Sequence, residues 1–466
     1  MVNTLCILAA YALVMIGATL FFTQRARTKE GYHVANRSVG TIMGGFSVAS
    51  AWIWAPSLFV SAERAYVTGI PGMFWFLVPN VLCLLVFIPF AKRARHEFPK
   101  GMTLSGYMGR KYKSEKVKKI YLFQLGSLAV FSAAVQLLAG SKILSLITGL
   151  PFWLLTVVFA AIAFSYSQFS GIKASVTTDL LQMGVIFAGL ALLLPWALHS
   201  SGGISTLLQG LSGHTGEYTG LWNAKGAEVF FAFGLSTAIG LMSGPFGDQS
   251  FWQRSFAIKE KSIGKAFALG AFLFALVPIA MGSIGYLAAG SGFKASDTGV
   301  VNFEFISSLL PKWVLAPFVI MILAGLLSTV SSNLCSAASL TTDRRKTESG
   351  AQNIRSSKIT MALLLLLAVG IANVPGLTVT HLFLFYGTLR ASTLLPTVLT
   401  LKGRKLSENG VFYGILASLA IGLPIFAYGN IANISLYKII GSITAVLLSG
   451  IVALTLTGLE VRRHAR

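Results

Sequence analysis

The chain has 466 residues, of which 55% are hydrophobic and 11% charged, with a mean hydropathy of +0.73. No soluble domain of this length is so apolar and so poor in charge, so the composition specifies an all-α polytopic membrane protein. The formal net charge of +22 would suggest a nucleic-acid partner only if the basic residues shared a soluble surface, and their positions therefore decide its meaning.

The first apolar run, 2–22, has neither a basic leading region nor a small-residue cleavage site, so it reads as a retained helix rather than a signal peptide. Windows of roughly 20 residues, the length that spans about 30 Å of hydrocarbon, follow near 40–62, 71–91, 120–147, 151–169, 176–199, 227–247, 266–289, 313–341, 359–376, 380–401, 409–430 and 436–459. The expectation is about thirteen transmembrane helices. With the amino terminus outside, the inner loops 23–39, 92–119, 170–175, 248–265, 342–358, 402–408 and 460–466 carry 30 of the 37 Lys and Arg. That asymmetry is the positive-inside pattern, and it places the carboxyl terminus in the cytoplasm. The basic excess is thus a topology signal with some contact to membrane lipid, and no nucleic-acid partner is expected.

The outer loops 200–226 and 290–312 are Gly/Ser-rich and have room for short gate helices. No linker or low-complexity tract interrupts the pattern, so one transmembrane domain is expected over 1–466, in a bacterial inner membrane and with no obligatory protein partner. Cys6, Cys83 and Cys335 are isolated, and the six histidines are scattered. Neither set forms a metal or nucleophile cluster, which argues against an enzyme and against an organic cofactor.

Two spans carry helix breakers. The second contains "SVASAWIWAPSLFVSAERAY", with Pro56 in mid-span, and the seventh contains "FGLSTAIGLMSGPFGDQSFWQR", with Gly244, Pro245 and Gly247. Proline removes a helix hydrogen bond and glycine loosens the backbone, so each cluster is either a packing kink or a true interruption with free backbone groups. Lipid does not tolerate the second case, whereas a buried polar site does. Each broken span opens a possible five-helix set, 40–199 and 227–402, after a leading helix and loop at 1–39 and before C-terminal helices at 409–466. That placement fits an inverted repeat.

The ninth span ends "AGLLSTVSSNLCSAASLTTD", residues 324–343. On a helix Gly325, Ser328, Thr329, Ser332 and Ser336 share one face. Their oxygens are hard ligands suited to a small alkali cation joined by carbonyls freed at a nearby break. The same residues also suit close helix packing, and both readings stay open on spacing alone.

With "VASAWIWA" at 48–55, "FPKGMTLSGYMGRKY" at 98–112, "YSQFSGIKASVTTDLLQ" at 166–182 and the stretch at 324–343, the chain resembles the sodium/solute symporters over about residues 1–460. The resemblance implies a five-plus-five inverted repeat, the LeuT-like fold, and Na+ as coupling ion. It also implies a sodium site of the backbone carbonyls of Ala49, Trp52 and Gly325 with the hydroxyls of Ser328 and Thr329, and Asp179 on the inner sodium exit path. Gly325 stands where an alanine is usual, Ala51 replaces an acidic residue found in some members, and the stretch between Ser328 and Asp343 is one residue short.

The solute is expected between the second and seventh spans, near Trp52, Trp54, Gln136, Ser236, Thr237, Tyr386 and Arg390. Arg390 falls well inside its span, whereas the other Lys and Arg fall in inner loops or towards the outer face. A buried cation needs a partner, either a solute carboxylate or a protein acid, unless it snorkels or gates. The two tryptophans can equally be packing residues. The stretches 50–76 and 247–254 look most like the urea/polyamine permeases, with Asp248, Gln249 and Arg254 then serving an inner gate. The expected function is a sodium-coupled secondary symporter importing a urea or amide, an amino acid or a small organic acid by alternating access. A proton-coupled symporter or passive facilitator is the alternative, and a sensor module a more distant one.

Overall fold

The computed structural model describes residues 2–22, 28–169, 171–343 and 350–464, with the side chains of 2–7, 22, 343 and 464 left aside. Cys6, Asp343 as a side chain, and the basic residues of 23–27 and 344–346 therefore lie outside what is described. All described elements are helical apart from an isolated bridge between Val39 and Ile258.

In chain order the main helices are α1 Val2–Phe22, α2 Thr41–Trp52, α3 Ala55–Leu58, α4 Val60–Glu97, α5 Glu115–Thr148, α6 Phe152–Ser167 and α7 Ile172–Ser200. They continue with α8 Ala224–Met242, α9 Gln249–Ala257, α10 Ile263–Gly290, α11 Leu315–Leu340, α12 Gly350–Ala372, α13 Val379–Leu401, α14 Glu408–Ile431 and α15 Ser435–His464. Among the described residues, 10 helices are long and apolar enough to cross a membrane. The other three expected spans are occupied by α1, by the interrupted pair α2 and α3, and by α6. Short helices Ile204–Gln209 and Val301–Leu309 occupy the two Gly/Ser-rich loops, as expected there. Outward-facing positions are apolar, among them Phe272, Leu366, Leu367 and Ile451. That inversion of a soluble surface suits lipid contact.

The second span is longer than 40–62. After the break, α3 and the start of α4 continue helically to Gly69, whose φ of 56° and ψ of −144° turn the chain. A side chain at Gly69 would collide with the backbone oxygen of Leu211, so glycine is required there both for conformation and for space. The seventh span is also longer than 227–247. The stretch 248–265, expected as an inner loop, contains α9, every residue of which is buried. α9 is the second half of a broken helix, not a loop.

Candidate functional site

The break in the second span follows from its sequence. α2 stops as Ile53 (φ −83°, ψ 85°) and Trp54 (φ −110°, ψ 175°) leave helical geometry. α3 restarts with Pro56 in its first turn, where a missing N–H costs nothing. The freed groups are then met by other helices, as backbone without water requires. The Ala55 N–H donates to Gln136 Oε1 at 2.7 Å, and the Ile53 carbonyl accepts from Thr329 Oγ1 at 3.0 Å. Gln136 Nε2 also donates to the Ser132 carbonyl at 3.0 Å. Gln136, expected at the solute, therefore spends both ends of its amide on the scaffold and the broken helix.

The expected sodium ligands divide. Ser328 and Thr329 lie buried against the break, and Gly325 faces Ile53, its absent Cβ falling 3.2 Å from Ile53 Cγ2. Thr329 Oγ1 also donates to the Gly325 carbonyl at 3.3 Å. The Ala49 carbonyl, by contrast, accepts the Ile53 N–H at 2.8 Å, and it is the Ile53 carbonyl that meets the Thr329 hydroxyl. For Trp52 the described contacts are those of its side chain, whose Nε1 donates to the Asn80 carbonyl at 3.1 Å.

Asp179 is fully buried and touches this group directly. Ser328 Oγ donates to Asp179 Oδ1 at 2.7 Å and lies 2.6 Å from Ser50 Oγ. Ser47 Oγ donates to Asp179 Oδ2 at 2.6 Å, and Arg254 Nη2 pairs with the same oxygen at 3.1 Å. Arg254 also donates through Nη2 to Ser332 Oγ at 2.7 Å and through Nε to the Ser47 carbonyl at 3.1 Å. It is only 1% exposed, which corrects its expected place among the inner-loop cations. A hydropathy window that ends at Gly247 assigns everything beyond it to solvent, whereas α9 folds back into the protein. Ser47 and Ser50, which the sequence does not single out, sit one helical turn apart on α2, Ser47 against Asp179 and Ser50 against Ser328.

The second charge pair lies at the other broken span. Asp248 caps α9, its Oδ1 accepting from Ser250 N at 2.9 Å and Ser250 Oγ at 2.7 Å, while its Oδ2 accepts from Arg390 Nη2 at 3.0 Å. Asp248 thus pairs with Arg390, while Arg254, expected at the same inner gate, pairs with Asp179. Gln249 instead holds the segment before Leu104, accepting from Leu104 N at 3.1 Å and donating to the Met102 carbonyl and Ser339 Oγ at 3.0 Å each.

The Arg390 guanidinium lies 5.0 Å from the ring centre of Trp52, 4.8 Å from that of Trp54 and 4.6 Å from that of Tyr386. The two tryptophans stack at 4.6 Å, and Trp52 meets Phe251 of α9 edge-on at 5.0 Å, so the two breaks adjoin. Arg390 Nε and Nη1, Trp54 Nε1, Tyr386 Oη, Ser236 Oγ and Thr237 Oγ1 are buried without a hydrogen-bond partner. Buried polar atoms are ordinarily satisfied, so this concentration offers hydrogen-bonding capacity suited to a polar ligand. Beyond it, at the end of the bundle opposite the basic loops, lies a cavity of about 590 Å³ lined by Phe59, Glu63, Arg64, Phe233, Thr380 and Lys438 among others.

A helical membrane bundle with two opposed broken helices defines a transporter scaffold of the LeuT-like five-plus-five type. Residues 32–418 match the sodium:solute symporter family, and the chain belongs to it. A substrate-bound, outward-open Na+-coupled sialic acid symporter superposes with a TM-score of 0.78 at 18% identity, covering 97% of each chain. A nucleobase–cation symporter with bound bromovinylhydantoin gives 0.60 at 16% identity, covering 92% of this chain and 95% of that one. Among curated relatives, the sodium/pantothenate symporter of Escherichia coli is 24% identical, covering 89% of this chain and 90% of its own. The urea–proton symporter of rice is 22% identical over 86% of this chain. A probable urea active transporter of Schizosaccharomyces pombe is 24% identical over 91% of it. The chain spans 60% of the rice protein and 66% of the yeast one.

Proposed function

We propose that the chain is a sodium-coupled symporter that carries a small polar organic solute inward across a bacterial inner membrane by alternating access. The observation that carries this reading is the contact between the Thr329 hydroxyl and the carbonyl freed at Ile53, beside Ser328 and Asp179. Two hydroxyl oxygens, freed carbonyls and an adjacent carboxylate are hard donors that favour a small alkali cation over a soft metal. Sodium held by Ser328, Thr329 and the carbonyls of Ala49, Trp52, Ile53 and Gly325 would tie α11 to the break in α2 and α3. Such a tie fixes the half-helix that carries Trp54 and so presents the aromatic group around Arg390 to the solute. Trp52, Trp54, Ser236, Thr237, Tyr386 and Arg390 are the solute-facing set, and Asp248, Gln249 and Arg254 the set that closes the basic end.

The positive-inside pattern supports a cytoplasmic basic end, with the amino terminus and the large cavity on the outer side. Proton coupling is the second reading. Asp179 favours it, as a buried carboxylate that touches the ion group.

The test is uptake of labelled sodium into proteoliposomes with urea, polyamines, amino acids and small carboxylates, with Ser328→Ala/Thr329→Ala protein alongside. A solute that drives sodium entry, with the double variant weakening sodium about tenfold or more, supports the reading. Uptake driven by a pH gradient and indifferent to both hydroxyls moves coupling to protons.

A further inference from the structure

Among the described residues, one cation of the large cavity has no carboxylate partner. Its lining includes Arg64, Lys142 and Lys438 against the carboxylates of Glu63 and Asp297. Glu63 is taken up by Arg64 at 2.5 Å and by Thr380 Oγ1 at 3.1 Å. Asp297 pairs with Lys142 and accepts the Gly299 N–H at 2.9 Å. Lys438, only 7% exposed, is left with the side-chain oxygen of Asn433 at 3.1 Å as its partner. Arg64 holds Glu63 through Nη2 while its Nε stays buried and unpartnered. An ammonium withdrawn from water without a carboxylate is costly, and the cavity beside it is where compensation can come from.

The next level down repeats the pattern. Around Arg390 the unpartnered nitrogens can only donate, and the hydroxyls of Tyr386, Ser236 and Thr237 can donate as well. The one carboxylate there, Asp248, has both oxygens engaged. An aromatic group of this kind holds a ligand cation well, but here the protein's own guanidinium occupies it. Among the described residues neither level leaves a free acid for an ammonium, and both offer donors to an anion.

We propose that Lys438, with Arg64 on the same cavity wall, forms an anion-capture site, and that the solute it passes to Arg390 is a small monocarboxylate. The proposal rests on the symport reading for the passage of the solute, and on the cavity alone for its capture. Lys438 belongs to α15, beyond the matched family region, which ends at residue 418.

The experiment uses propanoate and its uncharged isostere propanamide, with urea and putrescine as further controls, on the full chain in proteoliposomes and in detergent. Saturable stabilisation against heating by propanoate but not propanamide is expected. Lys438→Gln should raise the KM for propanoate uptake about tenfold with little change in the maximal rate, and Lys438→Arg should restore it. Equal responses to propanoate and propanamide, or an unchanged KM in Lys438→Gln, overturn the proposal. So does an equal stabilisation by chloride at the same sodium concentration, which would make the site one for any small anion. Propanoate uptake that needs Lys438 but ignores sodium leaves the capture site standing and removes the symport reading. Sodium-driven urea uptake indifferent to Lys438 does the reverse.

Discussion

At the scale of single residues, the densest chemistry is the network around Asp179. Its two oxygens receive Ser328, Ser47 and Arg254, so every strong acceptor direction on one side of the carboxylate is used. Removing one member of a buried ion pair leaves an uncompensated charge and typically costs about 3–5 kcal/mol, whereas removing both costs less. Asp179→Asn and Arg254→Gln are therefore each expected to lower the thermal unfolding midpoint in detergent more than the double variant does. Equal losses in all three would mean that the two charges do not depend on each other. Of this network, the hydroxyls of Ser328 and Thr329 were legible from helical spacing, and Asp179 from family resemblance. Ser47 and Ser50 were not, because a serine shows its role only through its partner, and Asp179 is far away along the chain. Lys438 escaped for the same reason: a lysine near the start of a terminal span looks like a snorkelling charge until the cavity beside it is seen.

At the scale of elements, both interruptions were legible because proline and glycine act locally, through a missing donor and a missing Cβ. Their extents were not. Apolarity continues through Gly69, where the chain turns, and falls away after Gly247, where the chain in fact stays buried. The half-helices depend on backbone-to-backbone approach. A Cβ on Gly240 of α8 would lie 2.9 Å from Gly387 Cα on α13, a helix that carries Tyr386 and Arg390. Overpacking of this kind costs about 1–3 kcal/mol. Gly240→Ala is expected to destabilise by that order and to impair solute uptake more than sodium binding, since α13 and not the Ser328 group is displaced. Parallel loss of both would mean that the contact serves overall packing alone.

At the scale of the molecule, composition and hydropathy were enough for the membrane class and for the run of long apolar helices, and loop charge supplies the expected orientation. The closed and open ends needed coordinates. Cys83 and Cys335 are buried, so single reporter cysteines can be read on a Cys6→Ser background. Thr380→Cys, in the large cavity, is expected to react with a membrane-impermeant thiol reagent applied outside, and Ser339→Cys, buried beside Gln249, to be protected. Rapid reaction of both from outside would contradict a cavity confined to one end.

The half-helix α9 is secured at both ends, by Asp248 to Arg390 on α13 and by Arg254 to Asp179 on α7. A crossbar with two independent latches swings only when both are undone at once, and the chances of independent events multiply. If each latch were loose about one time in a hundred, a cost of roughly 2.7 kcal/mol apiece, the bar would be free about once in ten thousand. The two latches also carry opposite polarity along the bar, so its swing moves almost no net charge of its own. The bar itself then adds almost nothing to whatever current accompanies transport, and any protein charge in that record has to come from other elements.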